Sequence, residues 1–310
     1  PQNPKTPQIL AGINKFNYAQ LNSRRSFSKV YKNFINGKWV DSKATSHINI
    51  VCPLTQNTLA KVPKSTEAEF NEAVLNAKET FKTWKKVPIS TRIRYMLKYQ
   101  ELLKKNSDEL CQAITREHGK SLVDAAGDVF RGYEVVEHAC SFGSLDKEKR
   151  QGVAGGVDIY SYREPLGVVA GIAPFNFPAM IPLWMYPLSI TLGNTYVLKP
   201  SEKVAGTAEI LIDLLQQSGV PNGVVNVVQG GQELNLDLHH PDIIDVHQET
   251  ASGSAGDFHK KFRFVELAGE RQVVGGVFDQ NSPTDQGLES IDPVCKMYQR
   301  FLCTGKRQQI

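Results

Sequence analysis

Acidic residues are missing from the start of this chain: Pro1 to Val40 holds lysines and arginines but no aspartate or glutamate, and Asp41 is the first carboxylate. Cysteine is sparse, with 5 in 310 residues at Cys52, Cys111, Cys140, Cys295 and Cys303. No Cys-x-x-Cys pair or Cys/His cluster occurs, so no metal site suggests itself, and an odd, scattered set in a long chain argues against a disulfide framework. Reduced thiols in a cytosolic or matrix compartment follow. No unbroken apolar run is long enough to cross a bilayer. There are no internal repeats, which sets solenoid architectures aside. A net charge of +4 is too small to mark a nucleic-acid binder. The Gly-x-Gly-x-x-Gly fingerprint is also missing, so the usual sequence argument for a dinucleotide does not apply.

What is there begins with that N-terminal charge. Basic, acid-poor and serine-containing, and including Asn22-Ser-Arg-Arg-Ser-Phe-Ser28, residues 1–30 have the composition of a mitochondrial presequence. The plainer reading is a solvated basic arm. The chain opens on Pro1 instead of a methionine, which leaves room for residues upstream. Its length accommodates two domains or one large α/β domain.

Phe34 to Val40 reads as two short strands about an Asn36-Gly37 turn. Glu67 to Lys86 reads as an amphipathic helix with Phe70, Val74, Phe81 and Trp84 on one side. Ser90 is placed to cap a second helix with an apolar stripe of Ile93, Leu97 and Leu103. A third helix spans Leu122 to Ser141. An alternating stretch, Val157 to Tyr162, suggests an exposed strand or arm. Leu166 to Ile172 is a continuous apolar run suited to a buried parallel strand. After it come a helix from Pro178, a strand over Thr195–Lys199, a helix from Val204 to Gln217, and a strand over Gly223–Val228. Strand, helix, strand, helix, strand predicts an α/β, Rossmann-type doubly wound sheet. Beyond about Asp245 periodicity is poor.

Ligands of such sheets sit beyond the carboxyl ends of the strands. Two segments fall there. Ala173-Pro-Phe-Asn-Phe-Pro178 follows the first buried strand, and its prolines fix the backbone about Asn176. An amide held rigidly can donate to a developing oxyanion, although a lone loop asparagine is more often a turn residue. Lys199-Pro-Ser-Glu202 ends the next strand. An ammonium and a carboxylate side by side can hydrogen-bond a ribose diol. An exposed ion pair is the alternative.

Val169-Ala-Gly-Ile-Ala-Pro-Phe-Asn-Phe-Pro-Ala-Met-Ile-Pro182 followed by Gly193-Asn-Thr-Tyr-Val-Leu-Lys-Pro-Ser-Glu202 resembles the aldehyde dehydrogenase superfamily. Gly127-Asp-Val-Phe-Arg-Gly132 and Val136-Glu-His-Ala-Cys140 resemble the methylmalonate-semialdehyde dehydrogenases within it, from about Val30 to Asp245. Those enzymes are mitochondrial homotetramers that use NAD and coenzyme A, and make an acyl-CoA in valine and pyrimidine breakdown. The resemblance implies an oxyanion role for Asn176. It implies NAD contacts at Ala173, Phe175, Lys199, Glu202, Lys203 and Ser252, with lysine at 203 where the family has arginine. It implies that Arg131 and Arg307 grip the substrate carboxylate, for which bidentate arginine is well suited. It divides the chain into a presequence over 1–30, an NAD-binding domain over 31–265 with an oligomerisation arm at 143–165, and the truncated start of a catalytic domain over 266–310. No membrane or nucleic-acid partner is implied.

The family's chemistry needs a cysteine thiolate that adds to the aldehyde. Aligned on Phe301…Gly305-Lys-Arg307, Gln308 stands at that cysteine's position, with Cys303 as a displaced substitute. The alternative reading is therefore an inactive, truncated NAD-binding or interaction protein. Glu266, in Val265-Glu-Leu-Ala-Gly-Glu270, falls where hydrolytic relatives keep a base, and reads more simply as a surface carboxylate.

Overall fold

The computed structural model describes residues 29–145, 149–154, 157–161, 164–234, 240–248, 265–267 and 270–272. Ser252, Cys303, Arg307 and Gln308 lie outside them, as does the basic segment 1–28.

Strand β1 (Lys29–Val30) leads into the predicted hairpin, β2 (Asn33–Ile35) and β3 (Lys38–Val40). Asn36 and Gly37 take φ of 51° and 75°, the left-handed pair that a two-residue turn needs to match strand twist. Strands β4 (His47–Val51) and β5 (Thr58–Pro63) join β1 in a three-stranded sheet of order β1-β5-β4.

Helix α1 (Glu67–Trp84) starts on a capping box: Thr66 Oγ1 accepts from the Glu69 amide while the Glu69 carboxylate accepts from the Thr66 amide. Phe70, Val74 and Trp84 are buried along it as the spacing predicts, together with Ala73 and Ala77, while Phe81 is only half-buried under the Lys85 ammonium. Helices α2 (Ile89–Lys105), α3 (Ser107–His118), α4 (Leu122–Cys140) and the short α5 (Phe142–Leu145) follow. Two expectations for α2 need correction. The helix begins at Ile89, one residue ahead of Ser90. The Pro88 carbonyl accepts from the Thr91 and Arg92 amides, and no side chain caps the end. Its buried stripe is Arg92, Met96, Tyr99 and Leu103, while Leu97 is exposed. The reason is that two polar tips are paired inside. Arg92 donates to the carbonyls of Thr191 (2.8 Å) and Val87 (2.7 Å). The Tyr99 hydroxyl pairs with that of Tyr186 and donates to Leu211 O at 3.1 Å.

Hairpin β6 (Lys149–Ala154) and β7 (Val157–Ser161) precedes the central strands. Then come β8 (Val168–Ile172), α6 (Met180–Thr191), β9 (Thr195–Lys199), α7 (Ala205–Gln217), β10 (Val225–Val227) and β11 (Ile243–Gln248). A last small hairpin pairs β12 (Val265–Leu267) with β13 (Glu270–Gln272), which sets Glu266 opposite Arg271. The main sheet has the order β11-β8-β9-β10-β2-β3. Its first four strands are parallel, and the β2–β3 hairpin runs antiparallel at one edge.

Both faces of the parallel part are covered, which explains why β8 and β9 are buried at every position. Val169, Tyr196, Leu198, Val225 and Val227 pack with α2, α3, α4, α6 and α7. Alternate residues Val168, Ala170, Ile172 and Val197 pack with Phe70, Ala73, Val74 and Ala77 of α1. The doubly wound expectation holds. Among the described residues no helix is long and apolar enough to cross a membrane.

Candidate functional site

Strands β8 and β9 end in register, Ile172 beside Lys199. The Ala173 amide donates to Lys199 O at 3.0 Å, and the Val228 amide to Leu198 O at 3.0 Å. Two strand-to-helix loops, from Ala173 to Ala179 and from Lys199 to Val204, and the turn after β10 therefore open along one carboxyl edge.

In the second loop Lys199 is 3% exposed, so the exposed-pair reading fails. Its ammonium lies 3.7 Å from Glu202 and donates to Pro200 O at 3.3 Å. Burial pushes the Lys199 pKa down and the Glu202 carboxylate opposes this. The two groups offer a donor and an acceptor to a neighbouring diol. Lys203 is exposed, its ammonium 4.3 Å from the centre of the Phe175 ring.

The first loop is held from below by residues that the sequence reading passed over. Asp128, in α4, accepts from the Met180 amide at 2.7 Å and so caps the N-terminus of α6 from a distance. Its other oxygen meets the Lys120 ammonium at 2.9 Å. That ammonium also lies 4.1 Å from the centre of the Phe177 ring. His118 stacks on Phe175, with ring centres 6.1 Å apart. Burial first, and the nearby Lys120 second, lower its pKa. Asn176 lies between the two aromatics with Oδ1 buried and without a hydrogen-bond partner. Arg131 is exposed one helical turn beyond Asp128, and its carbonyl accepts from the Trp184 indole at 3.4 Å. The structure thus gathers Ala173, Phe175, Asn176, Lys199, Glu202 and Lys203 at one edge. Lys120 gave no sequence signal beyond being a lysine after a glycine, and Asp128 fell within the Gly127–Gly132 motif with no role of its own assigned to it.

Beside the second loop Glu117 is buried at the N-terminus of α7. It accepts from the Gly206 amide at 2.9 Å and from the Tyr31 hydroxyl at 2.7 Å, tying α3, α7 and the segment after β1 together. Burial raises its pKa to about 7 against the pull of Tyr31, Gly206, Arg116 and Lys29. A carboxyl raised in the folded state favours folding most below its unfolded value, and that contribution fades as pH climbs to about 7. Glu117→Gln should flatten this part of the profile, so melting of the variant relative to the parent should improve from pH 5 to pH 8. Parallel curves over that range would count against it.

Comparison with known proteins bears on this edge. The model of the aldehyde dehydrogenase family matches residues 39–257. The chain belongs to that family. Among curated aldehyde dehydrogenases, the acylating mitochondrial methylmalonate-semialdehyde dehydrogenase of Arabidopsis thaliana is 54% identical over 199 residues, 64% of this chain and 33% of that one. The corresponding methylmalonate-semialdehyde/malonate-semialdehyde enzyme of Rattus norvegicus is 45% identical over 253 residues, 81% and 47% of the two chains. Among solved aldehyde dehydrogenases, the NAD complex of a Sinorhizobium meliloti protein assigned as a methylmalonate-semialdehyde dehydrogenase superposes with a TM-score of 0.70 at 38% identity, over 72% of this chain and 46% of the other. The Oceanimonas doudoroffii methylmalonate-semialdehyde dehydrogenase gives 0.69 at 39% identity, over 70% and 45%. This chain spans between about a third and a half of the length of these curated relatives.

Proposed function

We propose that this chain is the dinucleotide-binding part of a mitochondrial-matrix, NAD-dependent, CoA-acylating dehydrogenase of methylmalonate and malonate semialdehydes, acting in valine and pyrimidine breakdown with coenzyme A as co-substrate. The observation that carries it is the Ala173–Lys199 backbone bond, which sets the asparagine loop and the Lys199/Glu202 loop side by side at one sheet edge. The names of the curated relatives support the substrate and the compartment, and the Sinorhizobium NAD complex supports the cofactor.

The residues present suit NAD. Lys199 retains donor capacity beside an acceptor carboxylate, and Glu202 would repel a phosphate on the same ribose. Ala173, Phe175 and Lys203 would line the cofactor's path, with Ser252 assigned by resemblance. Bound there, NAD supplies a hydride acceptor. The protein's part is to orient the aldehyde. Asn176 would donate from its amide nitrogen to the carbonyl oxygen, and Arg131 and Arg307 would hold the carboxylate. In domain terms we assign 31–265 to cofactor binding with 143–165 as the arm, 266–310 to the catalytic side, and 1–30 to targeting.

Titration of the purified chain with NADH, followed by reduced-nicotinamide fluorescence, tests the reading. Saturable binding is expected, weakened roughly 10-fold or more by Lys199→Ala, as suits loss of a hydrogen bond to a charged group. No binding in the parent chain would overturn it. Gln308 and Cys303 lie beyond the family match and outside the described residues. An assay for thioester formation from malonate semialdehyde, NAD and coenzyme A reads them directly. Turnover abolished by Cys303→Ser would assign that thiol. No turnover alongside intact NADH binding would leave a dinucleotide-binding protein.

A further inference from the structure

We propose that Asp128 and Lys120 are positioning residues for the Asn176 amide, fixing the loop from Phe175 to Met180 from beneath. The inference rests on the function proposed above for what Asn176 meets, but the anchoring itself rests on geometry alone.

The Asn176 side chain makes no hydrogen bond among the described residues, and its Oδ1 is buried. Its side chain therefore ties down no part of its own loop by a hydrogen bond, and two residues from α4 and the turn before it supply that restraint. Asp128 has no exposed side-chain surface and Lys120 only 13%, so their 2.9 Å pair is shielded from water. A shielded pair of this kind fixes geometry more than it adds stability. One carboxylate oxygen is committed to Lys120 and the other to the Met180 amide at 2.7 Å. Asp128 thus fixes the loop where it enters α6. Lys120 turns its ammonium toward Phe177 as well, at 4.1 Å, and so fixes the residue next to Asn176. Between these contacts Pro178 restricts the backbone. The asparagine is left with few ways to move, which is what a preorganised donor requires.

The test uses the full chain and hydrogen exchange read by mass spectrometry on peptides covering 174–181. Lys120→Met keeps the aliphatic stem, and Asp128→Asn keeps the shape while removing the charge. In both, exchange at Asn176, Phe177, Ala179 and Met180 should rise at least 10-fold. Protection of β9 and α7, and the affinity for NADH, should stay within about 3-fold. Lys120→Arg should restore protection. Where thioester formation is measured, kcat should fall about 10-fold with KM for NAD unchanged, and Asn176→Ala should match that fall without altering exchange at Met180. Unchanged loop exchange in both variants would overturn the proposal. So would protection lost evenly across the chain, which would reduce the pair to a general stabiliser. A parent chain that fails to bind NADH would defeat the functional reading instead, and the exchange pattern would still decide the anchoring.

Discussion

Gly171→Ala should lower the melting temperature by several degrees, up to roughly 12 °C, and Gly171→Val should yield little folded protein. Gly171 lies in β8, paired with Leu198 of β9 on one side and His247 of β11 on the other. A Cβ at this position would stand 2.8 Å from Cζ and 3.0 Å from Cε1 of Tyr196, with the hydroxyl oxygen closer still. Tyr196 is opposite Val169, so its ring runs along the sheet and ends against Gly171. The ring cannot swing aside, because it is fully buried and packs edge-on against Tyr186 at 6.3 Å. Relief would have to come from the backbone of a strand bonded on both sides. Overpacking in such a core costs up to about 3 kcal/mol, and near 2–4 °C follows per kcal/mol in a chain of this size. Tyr196→Phe removes the nearest atom and should recover part of the loss in the Gly171→Ala background. A melting curve of Gly171→Ala that overlays the parent would refute the account.

Glu69→Ala should cost about 2–4 kcal/mol, since buried donors lose their acceptor at once. The Glu69 carboxylate accepts from the amides of Thr66 (2.8 Å) and Lys43 (2.9 Å), from Ser42 Oγ (3.0 Å) and from Asn33 Nδ2 (3.4 Å). It therefore fastens the start of α1, the chain after β3 and the β2 strand to one point. Asn33 in turn accepts from the Gln229 amide at 2.8 Å, extending the network to the far side of the β10 exit. Burial alone would raise the Glu69 pKa, but the bonds from Thr66, Lys43 and Ser42 outweigh it and hold it below the ordinary carboxylate range. Its contribution is thus present above the unfolded carboxylate value and lost as pH falls through the lower folded one, opposite to Glu117. Urea titrations should show the Glu69→Ala deficit shrinking toward pH 3. A deficit independent of pH would mean that the charge plays no part.

The fold was legible where one kind of pattern acts alone. The apolar run of β8, the β9 segment from Thr195 to Lys199 and the Asn36-Gly37 turn each announce a single local solution. Legibility failed where burial involves polar tips. In α2 the buried face includes Arg92 and Tyr99, whose partners Thr191 and Tyr186 lie about a hundred residues on, so an apolar count chose Leu97 instead. The same applies at the site. Asn176, Lys199 and Glu202 stand in segments flanked by prolines after obvious strands, and could be singled out. Asp128 and Lys120 act through a backbone amide and an aromatic ring in another part of the chain, and their roles emerge only when α4 is laid against the start of α6.

The β2–β3 hairpin, near the front of the chain, lies against β10, with Phe34 opposite Val227. During synthesis about two hundred residues therefore separate the making of this hairpin from the making of its β10 neighbour. Until then Phe34 lacks its β10 neighbours Val225 and Val227, whereas Ile35 can already pack with Phe70, Ala73 and Val74 of α1. A nascent chain of this design passes through a long wait in which chaperones can engage it, and its slowest step should be the late docking of the β2–β3 hairpin on β10.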